Sequence, residues 1–187
     1  MERTDFLMPL GTVEIPALVT PFRVEDHFQA DHEIALGIRI ASMDLFFQRL
    51  FLGLLIEPHP GVKLRHSSLI GTTPVETLIY VLGGVTKPEV SLWAIWSLMI
   101  QDSATLTGSG CPNIFHCRAV DGLVHPAGAV ESSAGWRLYG IDQLVGNWVS
   151  RSRVFEPNAP LLATSGGAVL YFANSFVILK LRITIQI

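Results

Sequence analysis

Cys111, His116 and Cys117 fall within seven residues, and a thiol beside an imidazole is the minimal kit of a cysteine nucleophile with its base. The same three side chains are all soft or borderline metal ligands. However, C-x4-H-C without a second half is not a zinc signature, which needs paired ligands at characteristic spacing. A second candidate is the polar stretch with His27 and His32 among Asp26, Asp31 and Glu33. Its spacing matches no established ligand pattern, and solvated loop residues are the preferred reading. Thr107-Gly-Ser-Gly110 runs into Cys111-Pro112 and Ser165-Gly166-Gly167 into an apolar segment. Both read as turns, not as phosphate-binding loops that open a helix. No GxSxG, P-loop or HExxH occurs. The sequence therefore predicts no catalytic residue, no metal site and no cofactor. A hydrolase built on Cys111 or Cys117 with His116 remains an alternative.

Trp93, Trp96, Trp136 and Trp148 could stack nucleic-acid bases, but that use pairs aromatics with Lys and Arg along the strand's path. Here 13 basic residues face 16 acidic ones, net charge is −3, and no basic run exists. Electrostatic capture of nucleic acid by a polybasic arm is thereby excluded. Core or interface anchors are the expected role of the tryptophans.

The elements that must carry these side chains are short. Eleven prolines and the glycine pairs 83–84 and 166–167 divide the 187 residues into brief apolar segments, the pattern of an all-β sandwich or barrel. Nothing resembling a linker or repeat splits the chain, so one domain over 1–187 is expected. Leu179, Leu181, Ile183, Ile185 and Ile187 alternate with Lys180, Arg182, Thr184 and Gln186, which predicts a terminal strand with one buried face. Ile34, Leu36, Ile38 and Ile40 alternate likewise. The run Val90–Ile100 is read as a strand covered on both faces. Further strands are expected around 12–19, 77–82, 114–120, 136–141 and 168–173. One segment has a helical period: Met43, Phe46, Phe47, Leu50, Phe51 and Leu54, with Ser42 or Asp44 as cap, Gly53 as stop, and an extended Leu54-Leu55-Ile56 after it.

Hydrophobic residues make up 49% of the chain and charged residues 16%, against a usual ~25%, so much of the outer surface is expected to meet other protein. Met1–Leu10 lacks the apolar core of a signal peptide, and the apolar runs are too short or too charged to span a bilayer. Two cysteines are too few for a disulfide framework and are expected as free thiols.

The helix-then-strand passage Ser42-Met-Asp-Leu-Phe-Phe-Gln-Arg-Leu-Phe-Leu-Gly-Leu-Leu-Ile56 resembles one in picornavirus-like coat proteins. There a short aromatic helix with a basic residue leads to Gly-x-Leu and a strand, and Arg49, Phe51, Gly53 and Leu55 take comparable places. A second passage is similar to the large coat protein of comoviruses, plant viruses of the secovirus group. It comprises Trp96-Ser97, Thr105-Leu106, Gly110-Cys111-Pro112, Asp121 and Gly135-Trp-Arg-Leu-Tyr-Gly-Ile141. In the comovirus protein that passage lies near the C-terminus, whereas here residues 142–187 follow it. A short chain suits a virus that divides its coat into three small proteins, as cheraviruses do.

The resemblance implies an eight-stranded antiparallel jelly-roll sandwich with one or two short helices. It also implies a capsid subunit in the virion of an RNA virus, assembled in the host cytoplasm into an icosahedral shell. Its partners would be other copies, related coat proteins and, through weak non-specific contacts, packaged RNA. The alternative class is a soluble β-sandwich or barrel that binds an apolar ligand or a partner protein.

Overall fold

The computed structural model describes residues 5–34, 38–82, 89–106, 110–141 and 147–158. The strongest expected strand, 179–187, and the one near 168–173 lie outside them. The described chain is mostly β. Its main sheet contains, in chain order, β1 (Leu7–Ile15), β3 (His32–Ile34), β4 (Ile38–Met43), β6 (Val62–Leu69), β8 (Asn113–Arg118), β9 (Val124–Ser132), β10 (Gly135–Gly140) and β12 (Arg153–Pro157). Their order across the sheet is β1-β6-β12-β8-β9-β10-β4-β3. Two small ribbons flank it: β2 (Phe22–Arg23) with β5 (Leu55–Ile56), and β7 (Thr73–Pro74) with β11 (Asn147–Trp148).

The sheet is mixed, which corrects the expectation of antiparallel pairing throughout. β12 runs parallel to β8, with Phe155 opposite Phe115, and β10 runs parallel to β4, with Trp136 opposite Ile40. The other neighbours are antiparallel. The alternating Ile34–Ile40 stretch is not one strand: β3 and β4 fold back on each other, and His32 lies opposite Ile40. β1 starts earlier than expected and ends at Ile15, where Pro16 removes a ladder donor.

Helices are more prominent than the sequence suggested. They are α1 (Val24–His27), α2 (Leu45–Phe51), α3 (Val75–Val81) and α4 (Leu92–Gln101). α2 matches the expected amphipathic segment, with Asp44 as its cap. Two segments expected as strands, 77–82 and 90–100, are largely helical, falling mostly within α3 (Val75–Val81) and α4 (Leu92–Gln101). The physical reason is plain for α4. Every residue from Ala94 to Met99 is buried, so apolar side chains occur at all periods and alternation cannot tell a buried strand from a buried helix.

Both sheet faces are covered. The larger core joins α2 and α4 to Ile40, Leu64, Phe115, Ala127, Trp136, Leu138 and Phe155. The smaller core sets α3 and Trp148 against Leu7, Leu69, Ile114 and Val154. Consecutive residues in a strand face opposite sides, so Ile114 and Phe115, or Val154 and Phe155, serve different cores. In β1, a bulge between Pro9 and Gly11 shifts the register, allowing Leu7 to face the smaller core and Ile15 the larger. Across β6, β12 and β8 the rings of His66, Phe155 and Phe115 stack in one row, 5.6 and 4.6 Å apart. Such cross-strand aromatic pairs lock the register of a parallel junction that has only three pairs.

Candidate functional site

β8 separates the two members of the cysteine–histidine cluster that lie within it. Cys117 is buried in the larger core, while the alternation of the strand turns His116 to the opposite face. Burial pushes the Cys117 thiol well above its ordinary range, and nearby Glu89 adds to that. A nucleophilic cysteine needs the reverse, a stabilised thiolate in a polar, reachable place. Cys111 precedes the strand and is partly exposed, and neither cysteine is in a disulfide. The arrangement favours structural thiols.

The acidic–histidine stretch also disperses. Asp26 and Glu25 both reach Arg23, at 4.0 and 3.4 Å. Asp31 pairs with Arg39. The His27 ring lies flat on Phe22, 4.1 Å away and 3° from parallel, with its edge toward Trp96 at 5.0 Å. Desolvation lowers the pKa of His27, outweighing the opposite pull of Asp26. His32 and Glu33 fall on alternate faces of β3. Among the described residues, no three His, Cys, Asp or Glu side chains gather where a metal could sit.

The tryptophans are anchors. Trp96 and Trp136 are buried in the larger core and Trp148 in the smaller, while Trp93, partly buried, donates its indole N–H to the Pro16 carbonyl at 3.0 Å. None presents an open ring face flanked by cations. Between β3, β4, the β9–β10 turn and the end of α4 lies a polar cleft of about 600 Å³, lined by Glu33, Arg39, Ser103, Glu131, Ser132 and Trp136. Its charges are mixed and line a wide opening.

A different surface is more distinctive. At the end of the sheet where β8 turns into β9, apolar side chains stand in water: Leu45 is 80% exposed, Leu123 63%, Val120 52% and Leu55 48%. The Val120 N–H donates to the Leu50 carbonyl at 2.9 Å and Ala119 to Leu123 at 2.8 Å, so the turn is fastened to α2. Phe46, on the same helix, is 43% exposed beneath the Arg49 guanidinium. Beside them runs a groove of about 200 Å³ lined by Leu54, Leu55, Ile56, Val90, Leu92 and Arg118, with the Arg118–Glu89 ion pair (2.8 Å) at its wall.

The chain matches no protein-family model, no curated protein and no solved structure. Among the described residues no helix is long and apolar enough to cross a membrane. Residue types that carry chemistry draw attention to Cys, His and Trp in the sequence, and not to Leu45, Val120 and Leu123. A signal was present. Leu45 lies off the apolar stripe of α2, and Leu123 follows Asp121-Gly122, a turn dipeptide where a large apolar residue has no core to enter.

Proposed function

We propose that this chain is a structural capsid subunit, one tile of an icosahedral shell around a single-stranded RNA genome. The observation that carries this reading is the apolar surface of α2, β5 and the β8–β9 turn. Several large aliphatic side chains exposed to water on neighbouring elements suit a protein contact. Assembly through such patches is driven by removing apolar area from water, and permanent interfaces are the more hydrophobic ones. The occupants are other copies of this chain and related coat proteins, and the virion is its place. Contacts with RNA, if the shell encloses it without a basic arm, are weak and non-specific. Mostly β content suits the jelly-roll arrangement that belongs to this proposal, while the two parallel pairings are a departure from it.

A binding module is the second reading, favoured by the groove along Leu54, Ile56, Val90 and Leu92. Sedimentation followed by negative-stain electron microscopy of the protein from its natural source separates the two. Uniform shells containing this chain support the capsid. A monodisperse small species sinks it and directs attention to apolar ligands.

A further inference from the structure

β1 is the outermost strand of the sheet on one side, and among the described residues no strand lies beyond it. It is nine residues long and largely exposed from Met8 to Thr12 and at Glu14. An open strand edge of that length is a ready template for another strand, and natural proteins rarely leave one uncovered. The opposite edge, β3, is only three residues long and offers no comparable template.

We propose that the β1 edge is the docking site of this chain's own segment Leu179–Ile187, which joins as a ninth strand antiparallel to β1. Three observations converge. First, the chain leaves β12 at Asn158, whose N–H donates to the Lys63 carbonyl at 2.7 Å. Lys63 lies opposite Glu14, so the exit point is at the same end of the sheet as Ile15. The β1 edge is two strand spacings from there, about 10 Å. Residues 159–178, at up to ~3.3 Å each, span that with length to spare.

Second, the two-residue periods agree. On β1, Val13 and Ile15 face the larger core while Thr12 and Glu14 face the other side. With Leu179 opposite Ile15, Leu181 meets Val13, and the apolar side chains of the segment extend the larger core. A slip by one residue would put Leu179, Leu181 and Ile183 on the charged face. Third, charge is complementary in that same register. Lys180 meets Glu14, whose side chain is 83% exposed and holds Lys63 at only 3.8 Å, so it can accept a second cation. Arg182 then lies opposite Thr12. The tether favours the chain's own segment over that of a second copy through its high effective concentration.

The test is a disulfide placed in the full chain with Cys111→Ser as background. Thr12→Cys with Arg182→Cys should close a bond within one chain under mild oxidation, seen by peptide mass. Thr12→Cys with Leu181→Cys, pointing to opposite faces, should not. No bond in the first pair, or equal bonding in both, overturns the proposal. So does a bond that forms only when separate Thr12→Cys and Arg182→Cys copies are mixed, which would mean exchange between subunits. Independently, Lys180→Glu should lower the melting temperature and Glu14→Lys in the same chain should restore it. Failure of the swap to restore any of the loss also counts against this register.

Discussion

Asp44 and Gly140, ninety-six positions apart, are joined by one hydrogen bond: the Gly140 N–H donates to the Asp44 carboxylate at 3.1 Å. The same oxygen caps α2 by accepting the Phe47 N–H at 2.7 Å, and the Asp44 N–H donates to the Leu138 carbonyl at 3.0 Å. One side chain therefore starts the helix and fastens it to β10. Helix caps contribute ~0.5–2 kcal/mol and hydrogen bonds to charged groups ~1.5–3 kcal/mol. Asp44→Ala should cost about 2–4 kcal/mol in urea denaturation, and Asp44→Asn, which keeps an acceptor, less than half of that. Equal losses would mean that charge, not the cap, holds α2 in place.

Gly135 opens β10 with φ of +117°, and a Cβ built there would lie 2.5 Å from the Arg39 carbonyl oxygen. Alanine is therefore excluded twice, by backbone conformation and by contact with a neighbouring backbone that cannot swing aside. Gly135→Ala should destabilise by roughly 2–4 kcal/mol. Gly71→Ala is the control, since a Cβ there meets nothing within 4 Å. A calorimetric melt that scores the two alike would remove the account of how β10 reaches β4.

The sequence spoke most clearly where a local rule acted alone. Met43 to Leu54 showed a helical period, a cap at Asp44 and a stop at Gly53, and α2 follows that pattern. β8 and β10 were likewise visible as apolar segments between turns. β6 was not, because Lys63, Arg65, His66, Ser67 and Ser68 give it a polar look. Arg65 and Glu156 face each other at 3.5 Å across β6 and β12, and such pairing makes polar residues acceptable in a central strand. β9 was hidden by Pro126 and Gly128. The glycine leaves room for the Tyr139 ring, which lies 2.1 Å from where a Cβ would be and would have to move to admit one. Parallel pairing of β12 with β8 depends on long-range order that no window of sequence contains. For the site, chemistry-bearing residue types drew attention to Cys117 and His116, whereas the exposed leucines became visible only once the core was known.

Thiol accessibility gives a direct check on the cysteine reading. Cys117 is 1% exposed with its thiol pKa raised by burial, and Cys111 is partly exposed. In the native protein a thiol reagent should modify Cys111 and leave Cys117 untouched, and both should react in denaturant. Fast native labelling of Cys117 would revive the cysteine-dependent hydrolase.

His27 and His66 both have lowered pKa values, chiefly through desolvation, with Arg153 adding to the effect at His66. Each therefore binds its proton more readily in the unfolded chain than in the fold. Stability is then complete above the unfolded value near 6.5 and declines as pH falls below it toward the folded values. His27→Gln should flatten part of that decline, because the flat stack on Phe22 excludes water from one ring face. An unchanged slope in melts from pH 7.5 to 5 would place the pH dependence elsewhere.

Exposed apolar side chains can be altered without touching the core, which separates folding from assembly at the proposed capsid surface. Leu45→Asp and Leu123→Asp change residues that are 80% and 63% exposed, so each should shift unfolding by only about 0.5 kcal/mol. At an interface the same leucines would be worth ~1.5–3 kcal/mol each when buried. That loss repeats at every subunit contact, and a shell sums many contacts. Both variants should therefore keep the circular dichroism spectrum and melting temperature of the parent while particle yield falls at least tenfold by sedimentation. Phe47→Asp, at a fully buried position of the same helix, should unfold the protein outright. If the surface variants assemble normally, subunits do not meet through this end of the sheet, and the capsid reading loses the observation that carries it.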